Sequence, residues 1–278
     1  MKNLKFIFLF IIPFFTSAPC DVKMKELEEI DIYFFNVGKA DSILIKSNEV
    51  NILIDTARDE NGEYIVKRLK DLGVKKLDYM IITHIDKDHV GGADKILEKI
   101  ETEKIYTSYI NEEKKQYREM VNVANKKSIE IKKVELEEKI FDGDLKVKVI
   151  APKKNYFNEN DNSIVLSVKY GKNKFLFAGD IEESSTEDLL NDSEIKNYDL
   201  LKIPHHGRNN DFMADFLAKV KPNSSIITTN NVEHKPSKKL KESLKNIKSN
   251  VLITGDGEIH VTSNGIKINV YKEERDWV

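Results

Sequence analysis

Leu77-Asp78-Tyr79-Met80-Ile81-Ile82-Thr83-His84-Ile85-Asp86-Lys87-Asp88-His89-Val90-Gly91-Gly92 is the stretch on which the reading of this chain turns. Leu77 to Thr83 is largely apolar, as expected of a strand buried on both faces. Where it runs out, four potential metal ligands, His84, Asp86, Asp88 and His89, fall within six positions. His84 and Asp86 are two apart, so an extended chain points both to the same side. Asp88 and His89 follow as the chain turns towards a helix, and Gly91-Gly92 let the backbone pass close to whatever is bound. Side chains of these types converge on a hard or borderline divalent cation. A charged loop with Asp88 as a helix N-cap would explain one aspartate. It would leave the two histidines and the second carboxylate unexplained.

Outward from this block the chain is rich in strands. Ile32 to Phe35, Ser42 to Ile45 and Val50 to Ile54 are short β-type runs separated by turn residues. Asn61 to Leu72 reads as an amphipathic helix with Ile65, Leu69 and Leu72 on one face and Gly73 as its stop. Ala93 to Ile100 is a further helix. Asn111 to Lys127 is a polar, Lys- and Glu-rich helix read as a solvated face. Strands are expected at Leu145 to Ala151, Ser163 to Tyr170 and Lys174 to Ala178, with helices at about 182–191 and 210–219. Ser225 to Thr229 and Val251 to Thr254 are strands around a Lys-rich helix near 236–247. Glu258 to Val261 and Ile266 to Tyr271 form a closing hairpin around Asn264-Gly265. No linker rich in Pro, Gly or Ser interrupts residues 30–278, so one domain is expected there. Two sheets face to face, with helices on the outside, accommodate this pattern.

Two later segments carry the same kind of chemistry. Phe175-Leu176-Phe177-Ala178-Gly179-Asp180 sets a carboxylate after Gly at the end of an apolar strand, where its two oxygens can bridge two cations; Gly-Asp also makes an ordinary turn. Leu200-Leu201-Lys202-Ile203-Pro204-His205-His206-Gly207 ends a strand in paired histidines, suited to metal ligation or phosphate contact, or else a solvated surface pair. Four of the six histidines fall in the His84 and His205 segments, so the signals support one another. His234, at the entry to a helix, either meets a substrate anion or is structural; His260 is given no role. Asp55, ending the apolar run Leu53-Ile54, either orients a ligand histidine from behind or closes an exposed turn. Asn36 to Ser42 resembles a phosphate loop only faintly, and it lacks the Gly spacing that nucleotide binding requires.

Bulk properties narrow the classes. The chain has 278 residues, 40% hydrophobic and 33% charged, enough to bury a sizeable core without covalent staples. Its formal net charge is −2, so no global field demands nucleic acid or an acidic membrane as a partner. With Cys20 as the single cysteine, an intrachain disulfide and a Cys-rich zinc site are both excluded. Residues 1–20 read as an export segment: Lys2 and Lys5, the apolar run Phe6 to Phe15, then small residues before Asp21. The apolar run is shorter than the roughly 20 residues of a membrane span. Cys20 stands where a lipoprotein carries its lipidated cysteine, although Pro19 precedes it, so lipid anchoring, plain secretion and an uncleaved anchor all remain open. Residues 21–29 form a charged linker.

These motifs, in this order, resemble the metallo-β-lactamase superfamily, and within it the soluble hydrolase domain of the competence protein ComEC family. The resemblance covers residues 30–278 and rests on six blocks. They are Asn36 to Ser42, Ile54-Asp55-Thr56, Thr83 to Gly92, Asn162 to Leu166, Ala178-Gly179-Asp180 and Pro204 to Gly207. It implies an α/β (α+β) fold, a four-layer αββα sandwich with the site at one edge between the sheets. It carries over His84, Asp86, Asp88, His89 and Asp180 as metal ligands, with His205 or His206 completing the set, and places Asp55 and Asn162 behind them. Asp86 stands where the wider superfamily has His, and no histidine occurs between His89 and His205, where Asp161 or Asn162 stands instead. One or two divalent ions are implied, zinc first, with the oxygen-rich set making manganese a rival.

The function implied is hydrolysis by a metal-bound hydroxide, with Asp88 and His234 as catalytic residues. Two divalent ions bring more positive charge than Asp86, Asp88 and Asp180 return, which favours hydroxide and an anionic substrate. His234 or the non-ligating member of the His205–His206 pair would hold the substrate anion or protonate the leaving group. The resemblance favours a phosphodiester, either DNA or a phosphate-containing envelope polymer, with the protein exported and touching a membrane only through its N-terminus. The alternative is a non-catalytic metal-binding or adhesion module that keeps the fold.

Overall fold

Alternating side chains send each strand's residues into two different cores. In β1 (Ile30–Phe34), Ile30, Ile32 and Phe34 enter a core between two sheets, while Tyr33 enters a second core on the opposite face. β2 (Ile43–Lys46) and β3 (Asn51–Ile54) repeat the division, with Ile43, Ile45, Ile52 and Ile54 on one side and Leu44 and Leu53 on the other. Strands apolar on both faces must be covered on both, and helices supply the outer cover. The computed structural model describes residues 27–273 apart from 110, 112 and 231–233. The export segment expected over 1–20 and most of the linker expected over 21–29 lie outside the described residues. Among the described residues no helix is long and apolar enough to cross a membrane.

The chain continues through α1 (Gly62–Asp71), β4 (Lys76–Ile82), α2 (Lys87–Val90), α3 (Ala93–Lys99), β5 (Glu101–Thr107), α4 (Lys115–Lys126) and β6 (Glu130–Lys133). Next come β7 (Lys139–Asp142), β8 (Leu145–Ala151), β9 (Val165–Tyr170), β10 (Asn173–Phe177), α5 (Glu183–Leu190), β11 (Leu200–Lys202) and α6 (Met213–Val220). β12 (Ser224–Ile227), α7 (Lys238–Asn246), β13 (Asn250–Ile253), β14 (Glu258–Ser263) and β15 (Ile268–Glu273) complete the order. One sheet runs β15-β14-β1-β2-β3-β4-β5-β6 and the other β13-β12-β11-β10-β9-β8-β7. From β3 to β6, and from β10 to β13, neighbouring strands are parallel; the remaining pairs are antiparallel.

Helices α1, α3 and α4 cover the first sheet through Ile65, Leu69, Ile96, Leu97 and Met120. Helices α5, α6 and α7 cover the second through Leu189, Phe216, Leu217, Leu240 and Leu244. The result is the αββα sandwich expected. Phe34 and Phe177 meet across the central layer with ring centroids 6.1 Å apart, and both are buried. Truncating such a phenylalanine to alanine costs about 3–5 kcal/mol. β14 returns the chain to β1, and its Glu258 is gripped at both oxygens by Arg68 of α1, at 2.6 and 3.1 Å.

Three sequence expectations need correction. The polar helix begins at Lys115 rather than Asn111, and it is not a wholly solvated face: Tyr117, Met120, Val123 and Ala124 are buried. Strands β5, β6 and β7 were not anticipated, because Lys and Glu dominate their exposed positions and mask the alternation. Gly91 and Gly92 serve the chain's own packing. A Cβ at Gly91 would lie 2.4 Å from the Lys87 carbonyl and 2.5 Å from the Asp59 nitrogen, and one at Gly92 would lie 2.6 Å from the Thr56 carbonyl.

Candidate metal centre

Every residue of the centre sits just beyond the C-terminal end of a parallel-sheet strand: Asp55 after β3, His84 to His89 after β4, Asp180 after β10, and Lys202 to His206 at and after β11. The two sheets meet there, with Ile164 N–H donating to the Thr83 carbonyl at 2.8 Å, and within the second sheet His205 N–H donates to the Gly179 carbonyl at 3.2 Å. Asp55, His205 and His206 adopt φ of 59°, 48° and 52°, a left-handed backbone that non-glycine residues rarely take and that clusters at functional sites.

His84, His89 and Asp180, all buried, bring one ligand atom each within 4.8 Å of one another. His89 Nε2 lies 3.3 Å and His206 Nε2 3.1 Å from the same oxygen, Asp180 Oδ2. Each of these histidines is tied from behind. His89 Nδ1 contacts Asp55 Oδ2 at 2.8 Å, and His206 Nδ1 donates to the Thr228 carbonyl at 2.8 Å. In the neutral ring, donation through Nδ1 leaves Nε2 as the free lone pair. Neither Nε2 has a hydrogen-bond partner, although both are buried. Orphaned, converging imidazole nitrogens around a carboxylate are the donor set of a divalent transition metal, so the residues fit one. Asp88 stands at the edge of this cluster, its Oδ2 3.9 Å from His206 Nε2 and paired with Lys39 at 3.6 Å and Arg58 at 3.4 Å.

The electrostatics follow from burial and charge together. Burial and the neighbouring His89 hold His84 well below the usual histidine range. Burial also opposes charge on His89, but Asp180 and Asp55 outweigh it and raise His89 well above that range. Asp180, despite its burial, is held well below the usual carboxylate range by His206, His89 and Lys202. Burial raises Asp55, with His89 acting against it.

The expected residues separate under this geometry. His206 belongs to the cage. His205 does not: its ring turns away, with Nδ1 3.0 Å from Glu182 Oε1. Asp86 stands at the rim, its side chain 38% exposed, 3.9 Å from His84 Nε2 and paired at 2.6 Å with Lys114, which competes for the carboxylate. Asp55 stands behind His89, accepting from Thr83 N–H and Oγ1 at 2.7 Å each as well. Asn162 is a correction: its side chain braces a loop through Tyr156 N–H and the Tyr156 and Asn158 carbonyls, and orients no ligand. Its neighbour Asp161 accepts from Glu182 and Ser185 N–H at the start of α5. His234 lines a cleft of about 420 Å³ together with His205, His206, Lys39, Arg208 and Lys235.

Two buried residues escaped the sequence reading. Lys202, 1% exposed, donates to the Gly179 carbonyl at 2.9 Å and pairs with Asp180 Oδ1 at 3.4 Å and with Asp41. Burial opposes its charge, but Asp41 and Asp180 hold its pKa above the ordinary lysine value. Asp41 is equally buried, and its backbone N–H donates to the Asp88 carbonyl at 3.1 Å. A signal for Lys202 was present: a lone cation in the apolar strand Leu200-Leu201-Lys202-Ile203, on the same face as core residue Leu200.

This architecture is matched by known proteins. The family model described as the metallo-beta-lactamase superfamily matches residues 36–228, and the chain belongs to that superfamily. Among its relatives is ComE operon protein 3 of Bacillus subtilis (strain 168), 26% identical over 259 residues, spanning 85% of this chain and 32% of the relative. Recombination protein 2 of Haemophilus influenzae is 26% identical over 200 residues, 70% of this chain and 23% of the relative. The chain thus spans about a third or less of either relative. The metallo-beta-lactamase fold protein YhfI from Bacillus subtilis superposes with a TM-score of 0.56 at 10% identity, over 88% of this chain and all of YhfI, a likeness of fold.

Proposed function

We propose that the protein is a metal-dependent hydrolase of phosphodiester bonds in an anionic substrate, either DNA or a phosphate-containing envelope polymer, and that it works outside the cytoplasm. The observation that carries this reading is the cleft beside His206. Lys39, Arg208, Lys235 and His234 line it, and among the described residues no carboxylate does. A cationic wall opening on a metal cage suits a phosphate ester and is poorly matched to a neutral amide. The likeness to a protein named for recombination supports DNA as one candidate polymer, and the apolar leader with its basic start supports export.

His84, His89, His206, Asp88 and Asp180 would hold one or two divalent ions, with zinc and manganese both compatible with nitrogen and oxygen donors. Such an ion supplies Lewis acidity and brings the pKa of water from about 15.7 towards 7. The protein's own part is binding and orientation. Asp55 and the Thr228 carbonyl fix the rings of His89 and His206. Lys39 and Arg208 hold the phosphoryl oxygens. His234, exposed on the cleft wall, gives a proton to the leaving oxygen as the P–O bond breaks, while a water oxygen bonds to phosphorus and releases its own proton to solvent.

Metal content per chain, then hydrolysis of a bis-aryl phosphodiester with and without chelator, tests the reading. Bound metal with chelator-sensitive turnover is expected. Bound metal with no turnover on any phosphodiester would favour a non-catalytic metal-binding module, and no metal under any loading would overturn the reading.

A further inference from the structure

A buried ammonium is costly, so its place in a strand calls for a reason. Lys202 lies between Phe177 of β10 and Ile226 of β12 in a four-strand parallel array where an aliphatic side chain would serve the fold. Its charge is instead spent on the metal cage. It takes Asp180 Oδ1, leaving Oδ2 to face His89 and His206. It also pairs with Asp41 Oδ2, which leaves Asp41 Oδ1 3.5 Å from His206 Nδ1 and otherwise without a hydrogen-bond partner. Asp41, Asp180 and His206 together form a buried triad whose ligand atoms lie within 4.8 Å of one another, and the Lys202 ammonium pairs with both of its carboxylates.

We propose that Lys202 is a positioning residue, a resident cation that fixes Asp41 and holds back one oxygen of Asp180, so that the metal cage is offered Asp180 Oδ2 alone. This rests on the metal-hydrolase reading above. Lys202 thereby keeps the Asp41–Asp180–His206 triad closed to an ion and reserves Asp180 for the cage formed with His84, His89 and Asp88. Without the ammonium, both Asp180 oxygens become free to ligate and the triad opens as a competing position. Lys39 at 3.6 Å and Arg58 at 3.4 Å treat Asp88 differently: both approach its Oδ2 from partly exposed positions.

Cobalt(II) titration of the full chain tests this, followed by the visible d–d absorption and by metal content per chain. Lys202→Met is expected to alter the cobalt spectrum and to change cobalt affinity at least tenfold, the scale on which support of a ligand acts. If Lys202→Met does not fold, Asp41→Asn, which removes the ammonium's closest anionic partner at nearly constant volume, carries the same expectation. A cobalt spectrum and affinity identical to those of the unaltered protein, whatever the change in thermal stability, overturns the proposal and leaves the hydrolase reading intact. An unaltered protein that binds no cobalt overturns both.

Discussion

Asp55 Oδ2 stands 2.8 Å from His89 Nδ1, and the same carboxylate accepts two further hydrogen bonds from Thr83. The carboxylate therefore dictates which nitrogen of His89 carries the proton and which faces the cage. Asp55→Asn keeps the size and an acceptor for Thr83 but can present an N–H to His89, reversing the tautomer. The expected result is a folded protein whose metal affinity falls about ten- to a hundredfold, read by competition with a chromophoric chelator.

The paired histidines are not equivalent. His206 Nε2 meets Asp180 Oδ2, whereas His205 pairs with Glu182. His206→Ala is expected to lower metal content per chain and to abolish turnover. His205→Ala is expected to keep the metal and to change KM more than metal content. Elemental analysis of both variants beside steady-state kinetics decides the matter, and equal metal loss in the two would contradict the separation.

Away from the site, Arg68 and Glu258 form a buried two-point ion pair between α1 and β14. Arg68→Met leaves the Glu258 carboxylate buried without its partner. Such breaks cost about 3–5 kcal/mol, visible as a lower urea midpoint at an unchanged slope. Glu258→Gln, which leaves a neutral acceptor for Arg68, is expected to cost less.

Tyr33 gives a pH dependence with a definite sign. Burial, then the negative charge of Asp31, pushes its hydroxyl from 10.0 up to about 12, and its ring stacks on His260 with centroids 4.3 Å apart. A pKa raised by folding means stability that is fully present below pH 10, the unfolded value, and lost as pH rises through about 12. The full loss is at most about 3 kcal/mol. Tyr33→Phe removes the titration, so the urea midpoint of the unaltered protein should fall relative to that of the variant as pH rises from 10 to about 12, and parallel curves would refute the assignment.

Much of the fold was legible because period-two apolar runs such as Ile30 to Phe34 have to be covered on both faces. The cage was legible where ligands are close in sequence, as in His84 to His89, and where a strand ends in Gly-Asp or Pro-His-His-Gly. What escaped was set by long-range partners. Asp86 reads as a ligand from its spacing, yet Lys114, distant in sequence, claims one of its oxygens. Asn162 reads as a helper from its place between the motifs, yet its hydrogen bonds go to the loop it belongs to. The pairing of Asp41 with Lys202 reveals itself only when both sheets are in place, since each is the other's partner across the sandwich. Strands β5 to β7 were hidden because half of each faces solvent and carries charge.

Asp55, His84, Asp88 and His89 come from the first half of the chain, and Asp180, Lys202 and His206 from the second. The clusters His84–His89–Asp180 and Asp41–Asp180–His206 each draw on both halves. Capture of an ion at either of those two clusters would act as a coincidence detector: it would register that the two layers have docked in correct alignment.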